Sequence, residues 1–146
     1  RLPILFGTRE NEGKIFIEKM YDLAKSGEAC IRLADDVISC PSFSDDLAQE
    51  ILRLIKTDLA YGVYHLKNEG YASLLYFASE FFKQYGLKVE IEHAKAADFT
   101  AGEKENKPLN TAIESLKIDH LRDWKEAMQD YIIQYKKKER DISKLT

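Results

Sequence analysis

Between residues 62 and 86 the hydrophobic pattern changes period, and that change organises the rest of the chain. Val63, Tyr64, His65 and Leu66 are an uninterrupted run of β-formers, which predicts a strand, and Asn68-Glu69-Gly70 supplies the turn chemistry to end it. Leu74, Phe77, Ala78, Phe81 and Tyr85 then recur at three- and four-residue intervals, the spacing of one helical face. Ser73 is placed to accept a hydrogen bond from an orphan amide of the first turn, and Gly86 to close the helix. The stretch is a βα unit. Ligands of such units tend to lie beyond the carboxyl end of the strand, here the Asn-Glu-Gly turn.

The flanking segments read in the same way. Residues 1–7 predict a short buried strand, confined by Pro3 to an edge or a strand end, and residues 8–14 a polar loop. Residues 15–25 predict a helix with Phe16, Met20, Leu23 and Ala24 on its apolar face, and residues 30–33 a strand with Ile31 and Leu33 on one side. A second helix is expected after Ser44 as N-cap. Asp45 and Asp46 would complement its positive end, and Leu47, Ala48, Ile51, Leu52 and Ile55 would form its buried face. Residues 88–93 alternate as a strand with one wet face, and residues 94–106 form a long polar loop. A last helix begins at the Asp123/Glu126 capping-box spacing and carries Trp124, Ala127, Met128, Tyr131, Ile132 and Tyr135 on one face.

Composition narrows the function. At 146 residues the chain fits one domain, and its 45% hydrophobic and 32% charged content is that of a globular protein. A net charge of -3 argues against a general nucleic-acid surface, and no apolar run reaches the ~20 residues that would cross a bilayer. Two cysteines, Cys30 and Cys40, with no CxxC pair, suit a reducing cytoplasm. His65, His93 and His120 lie beside no carboxylate or thiol at ligand spacing and are assigned to structure, so no metal site is expected. The chain opens on Arg1, without methionine and directly on an apolar stretch, which is read as the mark of a fragment.

The wording YHLKNEGYASLLYFASEFF resembles the substrate-domain signature of the dTDP-4-dehydrorhamnose reductases, in the extended short-chain dehydrogenase/reductase group. Gly62, Tyr64, His65, Asn68, Glu69, Gly70, Tyr71, Ser73, Phe77 and Ala78 carry it. Three further segments fit: Asp36 with Cys40-Pro41-Ser42 and Asp46-Leu47-Ala48, the Lys107-Pro108 element followed by Asn110-Thr111, and the closing DWKEAM at 123–128. The resemblance implies an α/β fold: the C-terminal substrate-binding lobe of such a reductase, with short strands alternating with amphipathic helices and the Rossmann dinucleotide-binding part missing. Residues 1–146 would then be a single substrate-binding domain.

The chemistry of such an enzyme has two marks: a glycine-rich turn that lets a helix N-terminus approach a pyrophosphate, and a Tyr-x-x-x-Lys pair. The seven glycines are isolated. Tyr21 and Lys25 have the second spacing, but they fall in a helix where the resemblance puts no catalytic residue. They are read as a surface aromatic with an i,i+4 lysine. No catalytic or cofactor-binding residue is therefore assigned. NADP or NAD would serve the full-length enzyme from a site outside this chain, with the catalytic tyrosine and lysine upstream of Arg1.

What is left to the chain is recognition of a nucleotide-sugar, which requires a few cations and hydrogen-bonding groups around an apolar wall. The candidates are Arg1 and Ile4, Ser42 and Phe43, Asn68 and Glu69, and Lys107. Glu69 could hydrogen-bond a hydroxyl or cap backbone amides, the structural role being favoured. Ile4 stands where the family commonly has tryptophan, and Lys107 where it has arginine, which keeps a charge but loses the bidentate fork.

The function expected from the resemblance is the substrate-binding portion of an NAD(P)H-dependent reductase of a dTDP-4-keto-6-deoxysugar, such as dTDP-4-dehydrorhamnose. Two alternatives stand beside it: an epimerase of the same group, and a non-catalytic binding or regulatory subunit on the same scaffold. Its expected partners are the sugar nucleotide, the absent Rossmann part and a second copy in a homodimer, with neither nucleic acid nor membrane among them.

Overall fold

The computed structural model describes residues 3–8, 13–27, 30–99 and 108–144. Arg1 and Lys107 lie outside the described residues.

Among the described residues, eight short strands are interspersed with four helices. The strands are β1 (Leu5–Phe6), β2 (Cys30–Ala34), β3 (Ile38–Ser39), β4 (Ser42–Phe43), β5 (Asn68–Glu69), β6 (Ala72–Ser73), β7 (Glu90–Ala94) and β8 (Leu121–Asp123). The helices are α1 (Phe16–Lys25), α2 (Ser44–Ile55), α3 (Leu74–Tyr85) and α4 (Trp124–Ser143), with a 3₁₀ turn at Ala96–Phe99. The strands pair two by two. β1–β4, β2–β7 and β5–β8 are parallel, and β3–β6 is antiparallel.

Phe6 is the pivot of the core. Its ring lies 5.5 Å from those of Phe43 and Phe77 and 5.7 Å from that of Tyr131, so one residue of β1 joins β4, α3 and α4. Around it pack Ile17 and Met20 of α1, Ile31 and Leu33 of β2, and Phe81, Trp124 and Met128. α3 starts and stops as its sequence requires: Ser73 Oγ accepts the Tyr76 N–H at 3.0 Å, and Gly86 ends the helix in the left-handed region at φ +88°. At the start of α4, Asp123 Oδ1 accepts the Lys125 N–H at 2.8 Å.

Several expectations are corrected. Residues 63–66 belong to no strand, and Asn68–Glu69, read as the turn, are themselves β5, paired with Leu121 and Asp123. The reversal falls at Gly70, φ +90°. The ladder partner lies some fifty residues downstream, so no local pattern could fix the register. Ser44 is the first helical residue, not the cap; Phe43 holds the capping position without a side-chain bond. On α1 the core face is broader than the periodic stripe: Ile17, Met20 and Tyr21 are buried and Leu23 is exposed.

The largest departure concerns α2. Leu47 is buried, yet Ile51, Leu52 and Ile55 are 38%, 57% and 75% exposed. The helix has the predicted apolar stripe, and nothing among the described residues covers most of it.

Candidate functional site

The β1–β4 and β5–β8 pairs meet at Asn68, and their junction brings together five of the seven residues singled out in the sequence. Leu5 pairs with Ser42 and Phe6 with Phe43, which sets Ile4 beside the 40–43 segment; the Ile4 carbonyl accepts the Ser42 N–H at 2.9 Å. Asn68, fully buried, ties that segment down. Its Oδ1 accepts the Phe43 N–H at 2.8 Å, and its own N–H donates to Ser42 Oγ at 3.1 Å. Ser42 Oγ in turn donates to the Cys40 carbonyl at 3.1 Å. The side-chain NH₂ of Asn68 donates to Asp46 Oδ2 at 2.7 Å and to the Arg122 carbonyl at 3.1 Å. With all its groups used, this amide can be turned only one way round.

Asp46 and Arg122 extend the network outward. Arg122 forks onto Asp46, Nε to Oδ2 and Nη2 to Oδ1, both at 2.9 Å, and its Nη1 donates to Asp130 at 2.7 Å. The hydrogen bond to Asp46, reinforced by Asp130 against some loss of hydration, holds the guanidinium's proton affinity above its ordinary value. Arg122 stands between two open hollows of about 350 and 260 Å³ that share Asp46 and Gln49. Asp46 thus does more than complement the helix dipole, and the sequence offered no sign of it: its partner is 76 residues away.

Glu69, at the end of β5, presents a half-exposed carboxylate. His120 Nδ1 lies 2.9 Å from it, and the ammonium of Lys67, itself 4% exposed, lies 3.7 Å from Glu69 and 3.8 Å from Glu114. His93 likewise lies 3.2 Å from Asp35. Two of the three histidines therefore do have carboxylate neighbours, brought to them by β-pairing and loop packing rather than by sequence spacing. Among the described residues no group of three or more His, Cys, Asp or Glu side chains is gathered to hold a metal ion.

The Tyr21/Lys25 pair is not the exposed pair expected. Tyr21 is buried, and its hydroxyl donates to Glu139 Oε1 at 2.6 Å, while Tyr85 donates to Glu139 Oε2 at 2.5 Å. Burial first, and the Glu139 carboxylate second, push the Tyr21 phenol well above its ordinary range; the same two causes push Tyr85 up to about 12. Lys25 sits over the ring, its Nζ 5.5 Å from the centroid. A proton-donating tyrosine needs its pKa lowered by the lysine, and this environment does the reverse.

Among the described residues, none of α2, α3 and α4 begins on an open glycine-rich turn. A pyrophosphate requires an open helix N-terminus preceded by glycine. At α2 that space is filled by Gly7, packed so closely that a Cβ there would overlap Ser44 Oγ. At α3 and α4 the residues at the helix start are Ser73 and Asp123.

The sequence profile of the RmlD substrate binding domain matches residues 1–137. Among curated proteins, the spore coat polysaccharide biosynthesis protein SpsK of Bacillus subtilis is 27% identical over 124 residues, 82% of this chain and 42% of that protein. The dTDP-4-dehydrorhamnose reductase of Mycolicibacterium smegmatis is 27% identical over 129 residues, 85% of this chain and 39% of that protein. Of solved structures, a dTDP-4-dehydrorhamnose reductase from Clostridium acetobutylicum superposes with a TM-score of 0.81 at 25% identity, covering 93% of this chain and 48% of that one. A second, from Bacillus anthracis in complex with NADP, gives 0.78 at 26% identity, covering 90% and 46%. The chain spans less than half the length of these relatives.

Proposed function

The chain belongs to the RmlD substrate binding domain family, and on that premise we propose that it is the sugar-nucleotide-binding part of an NAD(P)H-dependent reductase of a dTDP-4-keto-6-deoxysugar such as dTDP-4-dehydrorhamnose. The observation that carries this reading is the match over residues 1–137 to a substrate-binding family, joined to a backbone superposition of 0.81 on a reductase twice as long. The nicotinamide and the proton donor would come from polypeptide outside this chain, so the chain alone would neither oxidise NADPH nor bind it tightly. Within the chain, Ile4 and Glu69, with Arg1 and Lys107, would meet the ligand. Ser42, Phe43 and Asn68, whose polar groups are engaged internally, would hold the wall in shape.

The test is to supply the natural full-length gene product with dTDP-4-dehydrorhamnose and NADPH and to analyse the product. Consumption of one NADPH per dTDP-rhamnose formed is expected. Return of an isomeric sugar with no net use of NADPH would move the assignment to an epimerase, and failure to bind the sugar nucleotide would overturn it.

The bare stripe of α2 supports a second component of the reading, that a dinucleotide-binding part covers this face. Ile51, Leu52 and Ile55 lie on one helix and stay exposed among the described residues. Parallel sheets carry helices on both faces, so an apolar helix stripe of this kind is what a neighbouring sheet would cover. Ile55→Glu in the full-length protein is therefore expected to cost about 1–3 kcal/mol in chemical denaturation, the price of a charge in a buried interface. A change within ~0.5 kcal/mol, usual for an exposed site, would show that this face stays in water.

A further inference from the structure

Arg122, on β8, bears on how the segment beside Ile4 is held. Asp46 Oδ2 accepts two hydrogen bonds, from Arg122 Nε and from Asn68 Nδ2, and its other oxygen accepts Arg122 Nη2. The fork fixes the plane of the carboxylate, and the carboxylate fixes which end of the Asn68 amide carries the donor. That in turn leaves Asn68 Oδ1 facing the Phe43 N–H. Arg122 also presents its own carbonyl to the Asn68 NH₂, so β8 grips the amide from backbone and side chain at once. The guanidinium lies 6.0 Å from the Phe43 ring centroid, closing the circuit on the segment it orients.

We propose that Arg122 is a positioning residue for the ligand wall: through Asp46 and Asn68 it sets the 40–43 segment against β1, and so the shape of the surface that Ile4 presents to the sugar. The inference rests on the nucleotide-sugar reading for the identity of the ligand, but not for the relay itself. A lysine at 122 keeps the charge but, as a point cation, cannot fork onto Asp46. Arg122→Lys should therefore behave more like Arg122→Ala than like the parent.

The experiment uses the full-length protein and has two arms. In the first, hydrogen exchange is followed at the segment containing Phe43, with the Ala127–Met128 segment of α4 as internal reference. Both variants should exchange about tenfold faster at Phe43 with the reference unchanged, the loss of one charge-assisted restraint corresponding to roughly that factor. In the second, both variants should raise the KM for dTDP-4-dehydrorhamnose about tenfold while kcat changes less than twofold, since only binding geometry is disturbed.

Phe43 exchange that is unaltered in both variants overturns the relay. Faster exchange with unaltered KM overturns the claim that the relay shapes the wall. A parent enzyme that ignores the sugar while the variants still quicken Phe43 refutes the nucleotide-sugar reading and leaves the relay standing. Exchange that rises equally at the α4 reference shows a global loosening and also counts against a local positioning role.

Discussion

Replacing Trp124 with alanine is expected to cost about 3–5 kcal/mol, a large share of the roughly 5–15 kcal/mol that holds a domain folded. Trp124 is 1% exposed and is the largest fully buried side chain. Its ring meets Phe77 edge-on at 5.6 Å and Tyr76 at 5.9 Å, joining the first turn of α4 to the first turns of α3. Phe77 cannot move in to fill the space, because Phe6 and Phe16 already hold it. Urea denaturation should show a lowered midpoint with the slope preserved. Gly70 provides a cross-check. A Cβ there would lie 2.9 Å from the indole Cδ1, and φ is +90°, so Gly70→Ala combines a clash with backbone strain. In the Trp124→Ala background the clash disappears and only the strain remains. The two substitutions should therefore be less costly together than the sum of each alone, and strict additivity would disprove the contact.

How far the sequence could be read follows from which physical signals are local. Helices α3 and α4 were legible because their apolar residues repeat on one face, and Ser73, Gly86 and Asp123 are end signals that act within a turn or so. Strands β1, β2 and β7 were legible too, from the apolar opening, from Ile31 and Leu33 on one side and from the alternation at 88–93, whereas the two-residue strands β3 to β6, paired across the chain, were not. Asn68–Glu69 looked like a turn because its partner, Leu121 to Asp123, gives no local cue. The core face of α1 is broader than the periodic stripe: Ile17 and Tyr21 join Met20 in the core, Phe16 and Ala24 pack against it, and of the apolar residues only Leu23 is turned out, a width that tertiary packing sets and periodicity does not. For α2 the periodicity was right and the burial wrong. An apolar stripe states that something must cover it, not that the cover belongs to the same stretch of chain. In the site, the resemblance points to Ser42, Phe43, Asp46, Asn68 and Glu69, whereas Arg122 and Lys67, and the role of Asp46 as partner of Arg122, depend on neighbours far along the chain, which neither period nor spacing encodes.

Asn68→Asp is expected to be as damaging as Trp124→Ala, for a different reason and with a different dependence on pH. The substitution preserves shape. It replaces the NH₂ that donates to Asp46 Oδ2 at 2.7 Å and to the Arg122 carbonyl at 3.1 Å with an oxygen that can donate to neither. Three oxygens then face one another at a fully buried position, where breaking a hydrogen-bonded network of charges costs about 3–5 kcal/mol. Two adjacent carboxylates raise the folded-state pKa of the pair above the ~4 of the unfolded chain. A group raised in this way contributes its stability fully below the unfolded pKa and loses it as pH rises through the folded pKa. The deficit should thus be complete near pH ~7 and shrink as pH falls toward ~4, where a shared proton restores one donor. Asn68→Ala removes the same bonds without adding a charge, so its deficit should stay nearly level over that range. Parallel urea titrations of parent, Asp and Ala variants at the two pH values separate the cases. If the Asp and Ala deficits move together with pH, Asp46 is not held against Asn68 as an anion, and the bracket that joins β4, β5 and α2 is built otherwise than the structure shows.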